Sequence, residues 1–376
     1  MAKGFVMASR SWKGTSMGRK VKHFSLHRVD GTELRVVSDV GVGVLPVIQE
    51  EEEVIRGYVH HAFWPHKWVT LFILQDLQPL VRQIQPAAEM FPGGADVLDK
   101  RPVVNVYDLA EPSGCQIFIN REAMLREGYW DEPVAVRGLL AHEHAHPLTE
   151  GETTRASREL EVELTVEHLH SSLCDSPVDV AEQEAPCRQW TGVRQSATHD
   201  ILNLLAHKLC LYAPREIFAN DMTIRSGFGG ALLHLDRQNV ANAQSSLAGR
   251  EDIRTHFQHS VEQGKLTQAA ANLLLLVGDL QGYIDLALEV APFYRSGRES
   301  DARELETALE DNLFPHLERE VQQAYTALVK QYIALQADLT PDELTAWCKG
   351  VFNIFAEILS AKELRVNSEF RVRGSK

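Results

Sequence analysis

His142-Glu143-His144-Ala145-His146 is the stretch of this chain whose residue types and spacing could do chemistry. On a helix, positions i and i+4 lie on one face. His142 and His146 can therefore each offer a ring nitrogen to one metal ion. Glu143, one position after the first of them, can reach a water activated by that metal without ligating it. Zinc lowers the pKa of such a water to about 7, a carboxylate can accept its proton, and the ion polarises the carbonyl under attack. The chemistry implied is metal-assisted hydrolysis with Zn2+ as cofactor and Glu143 as general base. His144 points elsewhere on the helix and reads as a bystander or as a group supporting a ligand.

A catalytic zinc site takes three protein ligands and keeps one position open. The segment Arg158-Glu159-Leu160-Glu161-Val162-Glu163-Leu164-Thr165-Val166-Glu167-His168-Leu169-His170 supplies candidates. Read as a helix over 155–173, it has one apolar edge at Leu160 and Leu164 and another at Val162, Val166, Leu169 and Leu173. Glu159, Glu163, Glu167 and His170 fall between these edges, where burial is expected. A buried carboxylate is costly unless paired or metal-bound, so Glu159 or Glu163 is expected on the metal. Glu216 is a rival, but a helical wheel puts it with Asn220 and Thr223 on a polar side that solvent exposure explains. His199, Asn203 and His207 form a row at i, i+4, i+8 on a Leu-rich helix expected over 197–212 and ending before Pro214. His199 and His207 are further rivals, and either of them or Tyr212 could stabilise an oxyanion.

The elements that must position these groups are partly visible. His23–Val29 and Glu33–Val37 flank Asp30-Gly31, a strong hairpin signal. A third strand is expected over Gly43–Ile48, and the run Glu50–Glu53 reads as a solvated loop or helix start. Trp68, Leu71, Phe72, Leu74, Leu77, Leu80, Val81 and Ile84 fit an amphipathic helix over 66–85. Two short strands follow, Pro102–Leu109 and Gln116–Asn120. The motif helix begins near Asp131, a plausible N-cap, with Pro133 in its first turn, and Pro147 should end or bend it. Residues 236–365 read as nearly continuous helix broken at Gly249, Gly264, Pro292–Gly297 and Pro341. Gly227-Phe228-Gly229-Gly230 reads as a helix break, and the stretch from Asn367 as a polar tail.

His142, Glu143 and His146 in this setting resemble the HExxH zinc metallopeptidases (zincins). Within them the chain looks like the gluzincins, whose third ligand is a Glu on a following helix. Glu159-Leu160-Glu161-Val162-Glu163 is similar to the Glu-x-x-Ala-Asp/Asn/Glu pattern of several gluzincin families. By that resemblance Glu159 is the ligand and Glu163 the residue that orients a ligand. Val162 stands where the pattern has a small residue, and Glu163 where it usually has Asp or Asn. The stretch from His146 to Glu159 is short for the class, which keeps Glu163 open as the ligand itself. The likeness covers roughly residues 100–235 and implies a peptide or protein substrate. A third His after a Gly turn, a Ser nucleophile elbow, a phosphate-binding Gly loop and a dinucleotide fingerprint are all missing.

Charge and composition set limits on other functions. The 376 residues carry a formal charge of −14. Seven of the 38 Lys and Arg (Lys3, Arg10, Lys13, Arg19, Lys20, Lys22, Arg28), and none of the 52 Asp and Glu, lie in residues 1–29, so the remainder carries −21. That body should repel nucleic acid and anionic membranes. Five unpaired-looking cysteines (Cys115, Cys174, Cys187, Cys210, Cys348) and no secretory signal suggest reduced thiols and a cytoplasmic setting. The longest apolar run, Leu273–Val277, is too short to span a bilayer. The expectation is an α+β fold with a zincin-like core, a short sheet plus active-site helices, and a mostly helical C-terminal region. The divisions expected are a β-rich N-terminal segment with a basic arm (1–60), the core (61–235) and a helical domain (236–376). The alternative to an enzyme is a non-catalytic zinc-binding regulatory or interaction protein on the same scaffold.

Overall fold

A computed structural model describes residues 20–60, 64–78, 100–168, 198–362 and 364–373. Lys3, Arg10, Lys13, Arg19, the expected helix beyond residue 78, His170, Cys174 and Cys187 lie outside them. The fold is α+β. It divides into two compact units that are not consecutive in the chain. The first takes residues 1–150 and 219–238, the second 151–218 and 239–376. This differs from the consecutive division 1–60, 61–235 and 236–376.

The first unit is built on a five-stranded sheet. Strands β1 (His23–Val29) and β2 (Thr32–Ser38) form the expected antiparallel hairpin. Its turn needs positive φ at both central residues, which Asp30 (φ 44°) and Gly31 (φ 93°) supply. Helix α1 (Val44–Val59) then crosses over to β3 (Trp68–Leu74), which lies parallel to β2. Strands β4 (Val103–Tyr107) and β5 (Gly114–Asn120) complete the order β1-β2-β3-β5-β4. β5 is parallel to β3, and β4 is antiparallel to β5 at the edge.

Two segments of the first unit depart from their expected form. Gly43–Ile48 is not a strand: Gly43, in the left-handed region (φ 76°), precedes the first turn of α1. Val47, Ile48, Glu51, Val54, Ile55 and Tyr58 form that helix's buried stripe at three- and four-residue steps. Residues 68–74 are a strand, not a helix. Their β-branched and aromatic side chains alternate between half-buried and buried, the period of a sheet.

Helix α2 (Arg121–Arg126) leads to the motif helix α3 (Pro133–Ala145), which packs on α1. The Tyr58 hydroxyl donates to the Ala141 carbonyl at 2.7 Å. Gly138 is the close point of the opposite packing. A Cβ there would sit 2.6 Å from the Ala231 carbonyl oxygen.

The second unit is mainly helical. Helix α4 (Glu152–Glu159) is followed by β6 (Leu160–His168), so the helix expected through 155–173 ends after its first two turns. Leu160, Glu161, Val162, Glu163, Leu164, Thr165 and Val166 alternate apolar and polar, which is strand periodicity. β6 pairs antiparallel with β7 (Leu364–Val372), so the stretch that reads as a polar tail is instead a strand.

Helix α5 (198–206) does not stop before Pro214. It runs through a π-helical stretch, His207–Tyr212, into α6 (Ala213–Thr223). A second π stretch, Ile224–Phe228, has Gly227 at φ 89°, the expected break, before α7 (Gly229–Ser245). The remaining helices are α8 (Leu247–Glu262), α9 (Gln268–Tyr283), α10 (Ala287–Arg295), α11 (Glu299–Asn312), α12 (Arg319–Ile333) and α13 (Pro341–Ser360). Their breaks lie near the expected Gly264, Gly297 and Pro341. No described helix is long and apolar enough to cross a membrane.

Candidate metal centre

Helix α3 carries the motif for local reasons. Pro133 occupies its first position, where a missing N–H costs nothing. Glu132, not Asp131, stands at the N-cap. Ala135, Val136, Leu140, Ala141 and Ala145 bury one side. Pro147 ends the α-helix at Ala145, and His146 opens a short 3-10 turn. His146 keeps helical angles (φ −51°, ψ −52°) and so stays one turn beyond His142. The two rings stand edge to face with centroids 4.7 Å apart. Glu143, between them in sequence, is half-buried. Its backbone carbonyl accepts a 2.8 Å hydrogen bond from Asn105 Nδ2 on the edge strand β4.

The carboxylate that joins the two histidines is Glu216 on α6. Donor atoms of His142, His146 and Glu216 all lie within 4.8 Å of one another. The division between the two units falls inside this one continuous helix, between Phe218 and Ala219. Glu216 and Asn220 are one turn apart on the same face. Asn220 is buried, and its Oδ1 accepts from His142 Nδ1–H at 2.6 Å. That bond commits Nδ1 as a donor, so Nε2 is the atom that could take a metal. A metal-bound histidine usually has its second nitrogen occupied in this way. The donor set of two imidazoles and one carboxylate fits zinc.

Glu159 and Glu163 stand elsewhere. Glu159 is the exposed last residue of α4. Glu163, on an outward-facing position of β6 with 60% of its side chain exposed, accepts from Arg371 at 2.5 Å. Among the described residues neither joins a group able to hold a metal. The burial expected of them rested on a helical wheel, and β6 is not a helix. His199 donates from Nε2 to the Leu164 carbonyl at 3.3 Å. His207 has its pKa lowered by burial and by the nearby Arg373 charge. Neither of these two histidines joins the metal group. Tyr212 closes the first π stretch. The signal for Glu216 was in the sequence. Glu216-Ile217-Phe218-Ala219-Asn220 meets the Glu-x-x-Ala-Asn pattern without the departures seen at 159–163.

His144 is neither solvated nor idle. It is fully buried, and its Nε2 meets Glu51 Oε1 at 2.8 Å, with Glu51 also fully buried. Burial works against a charge on His144, but the Glu51 carboxylate outweighs it and lifts the pKa to about 10. His66 and Cys115 complete this pocket beside His144. Burial, then the charge on His144, lowers the His66 pKa to about 4. Burial pushes the Cys115 thiol up. Glu51 escaped the sequence reading because it sits in an acidic run. Its place in the stripe Val47, Ile48, Glu51, Val54, Ile55 was the available signal. Cys210 and Cys348 are buried free thiols in the second unit.

No protein-family model, curated protein or solved structure matches the chain.

Proposed function

We propose that the chain is a zinc-dependent metallopeptidase with a zincin-like core and that Glu216 takes the ligand's place. The observation that carries this reading is the convergence of His142, His146 and Glu216 beside Glu143, with Asn220 holding the first histidine. Bound there, zinc supplies Lewis acidity, lowering the pKa of water to about 7 and polarising a carbonyl. His142 would hold the ion through Nε2, with His146 and Glu216 beside it. Glu143 accepts the proton of the attacking water and returns it to the leaving amine. A purely structural zinc site has no use for such a base, which favours an enzyme over a regulatory scaffold.

A peptide substrate is favoured by the strand at the rim. β4 is the last strand of the sheet, and Asn105 on it touches the backbone of Glu143 itself. An extended peptide can add to a sheet edge through main-chain hydrogen bonds. Such pairing would lay it along the motif helix.

The test is Glu143→Gln compared with the zinc-loaded wild type on a peptide library. Loss of a general base lowers the rate by about 10²–10⁴, while zinc content stays the same. Unchanged cleavage by the variant, or no cleavage by the wild type, overturns the reading.

A further inference from the structure

We propose that His66, Cys115 and His144 form a second, buried metal site, structural in character and suited to zinc, on the face of α3 turned away from His142 and His146. The three side chains are almost wholly buried, with exposures of 2%, 1% and 0%. Their donor atoms lie within 4.8 Å of one another.

Each histidine has one ring nitrogen committed elsewhere. His66 Nδ1 donates to the Pro112 carbonyl at 2.8 Å, and His144 Nε2 bonds to Glu51 Oε1. Backbone carbonyls and carboxylates are the usual outer partners of metal-bound histidines. The nitrogens left over are His66 Nε2 and His144 Nδ1. His66 Nε2 is buried with no hydrogen-bond partner, a state that an ion would relieve.

The spacing fits. With Zn–S about 2.3 Å and Zn–N about 2.0–2.1 Å, a tetrahedral ion separates sulfur and nitrogen by about 3.6 Å. Cys115 Sγ and His144 Nδ1 are 3.9 Å apart, close to that and long for a hydrogen bond. Glu51, on the far nitrogen of His144, is an outer partner that orients the imidazole rather than a donor to the ion. A divalent ion with the Cys115 thiolate and two neutral imidazoles carries one positive charge, which the buried Glu51 carboxylate on His144 Nε2 balances. Binding releases two protons, one from the Cys115 thiol and one from His144 Nδ1.

Trp64 covers the pocket, its ring centroid 4.8 Å from His66 and 5.3 Å from His144. With its three donors this deeply buried, the site suits structure rather than catalysis. It would join α1, the approach to β3, β5 and the motif helix at one point.

Metal counting on the full chain tests this independently of the peptidase reading. Protein produced with zinc and freed of loose metal should carry about two equivalents by plasma mass spectrometry. Glu216→Gln should keep about one, Cys115→Ser about one, and the double variant none. Cobalt substituted into the Glu216→Gln protein, where Cys115 is native, should show a thiolate-to-cobalt charge-transfer band. That spectrum decides the question even if Cys115→Ser fails to fold. A Glu216→Gln protein with no metal and no such band overturns the second site. So does one whose single ion persists in the double variant. Failure of the peptidase reading alone would leave the thiolate band intact.

Discussion

Replacing Asn220 with Ala removes the acceptor for His142 Nδ1–H without touching any atom proposed to hold the metal. The lost contact is a 2.6 Å hydrogen bond made by a buried amide. Two consequences follow. The ring of His142 is no longer held with Nε2 toward Glu216, and partners of this kind are worth roughly 10–100-fold in metal affinity, or about 1.4–2.8 kcal/mol. A half-buried N–H also loses its acceptor, which destabilises the fold by about 1 kcal/mol. Zinc affinity is read by competition with a chromophoric chelator, and folding by urea titration of the metal-free protein. Asn220→Asp, which keeps an acceptor oxygen, should bind zinc at least as tightly as the wild type. Glu163→Gln should leave affinity unchanged, because its partner is Arg371 on β7. An Asn220→Ala protein of wild-type affinity would refute the reasoning, as would a Glu163→Gln protein that loses zinc.

Gly138→Val should destabilise the protein by about 1–3 kcal/mol in urea titration, since the space for a side chain is taken by the Ala231 carbonyl 2.6 Å away; a wild-type midpoint would contradict that packing. The metal-free protein should be most stable near pH 6.5. The folded pKa of His66 is lowered from 6.5 to about 4, so stability is lost as pH falls from 6.5 through 4. The folded pKa of His144 is raised from 6.5 to about 10, so its contribution is full below 6.5 and lost as pH rises through 10. Denaturation midpoints that stay flat across both windows would contradict the buried pair.

The parts of this fold that local chemistry dictates were legible in the sequence. Asp30-Gly31 sets a hairpin by its positive φ values, and Pro133 and Pro147 bracket the motif helix through their missing N–H groups. Strands buried on alternate residues were harder. Trp68–Leu74 places apolar residues on both faces, and such a run satisfies a helical wheel as readily as a pleat. The same ambiguity misassigned 160–168, where the alternation of Leu160, Val162, Leu164 and Val166 carried the answer and the wheel drew attention to Glu163.

The closeness of His142 and His146 could be read from the sequence because their relation is one helical turn. Glu216 required knowing which distant helix returns to the motif, which is a tertiary fact. Its five-residue pattern was present, but its wheel position looked solvated. Glu51 was hidden for the opposite reason: three neighbouring glutamates made a buried carboxylate resemble a surface run.

The contact between His142 and Asn220 spans 78 residues of chain. At a synthesis rate of about 5–20 residues per second, the motif helix leaves the ribosome some 4–16 s before its partner does. For that interval the two histidines exist without the residues that orient and complete them. The pocket of Glu51, His66, Cys115 and His144 lies wholly within the first 144 residues and is complete as soon as the motif helix is made. The order of emergence therefore favours the buried cluster over the proposed metal centre on His142 and His146. The helix would be anchored in the first unit before the proposed metal centre is complete.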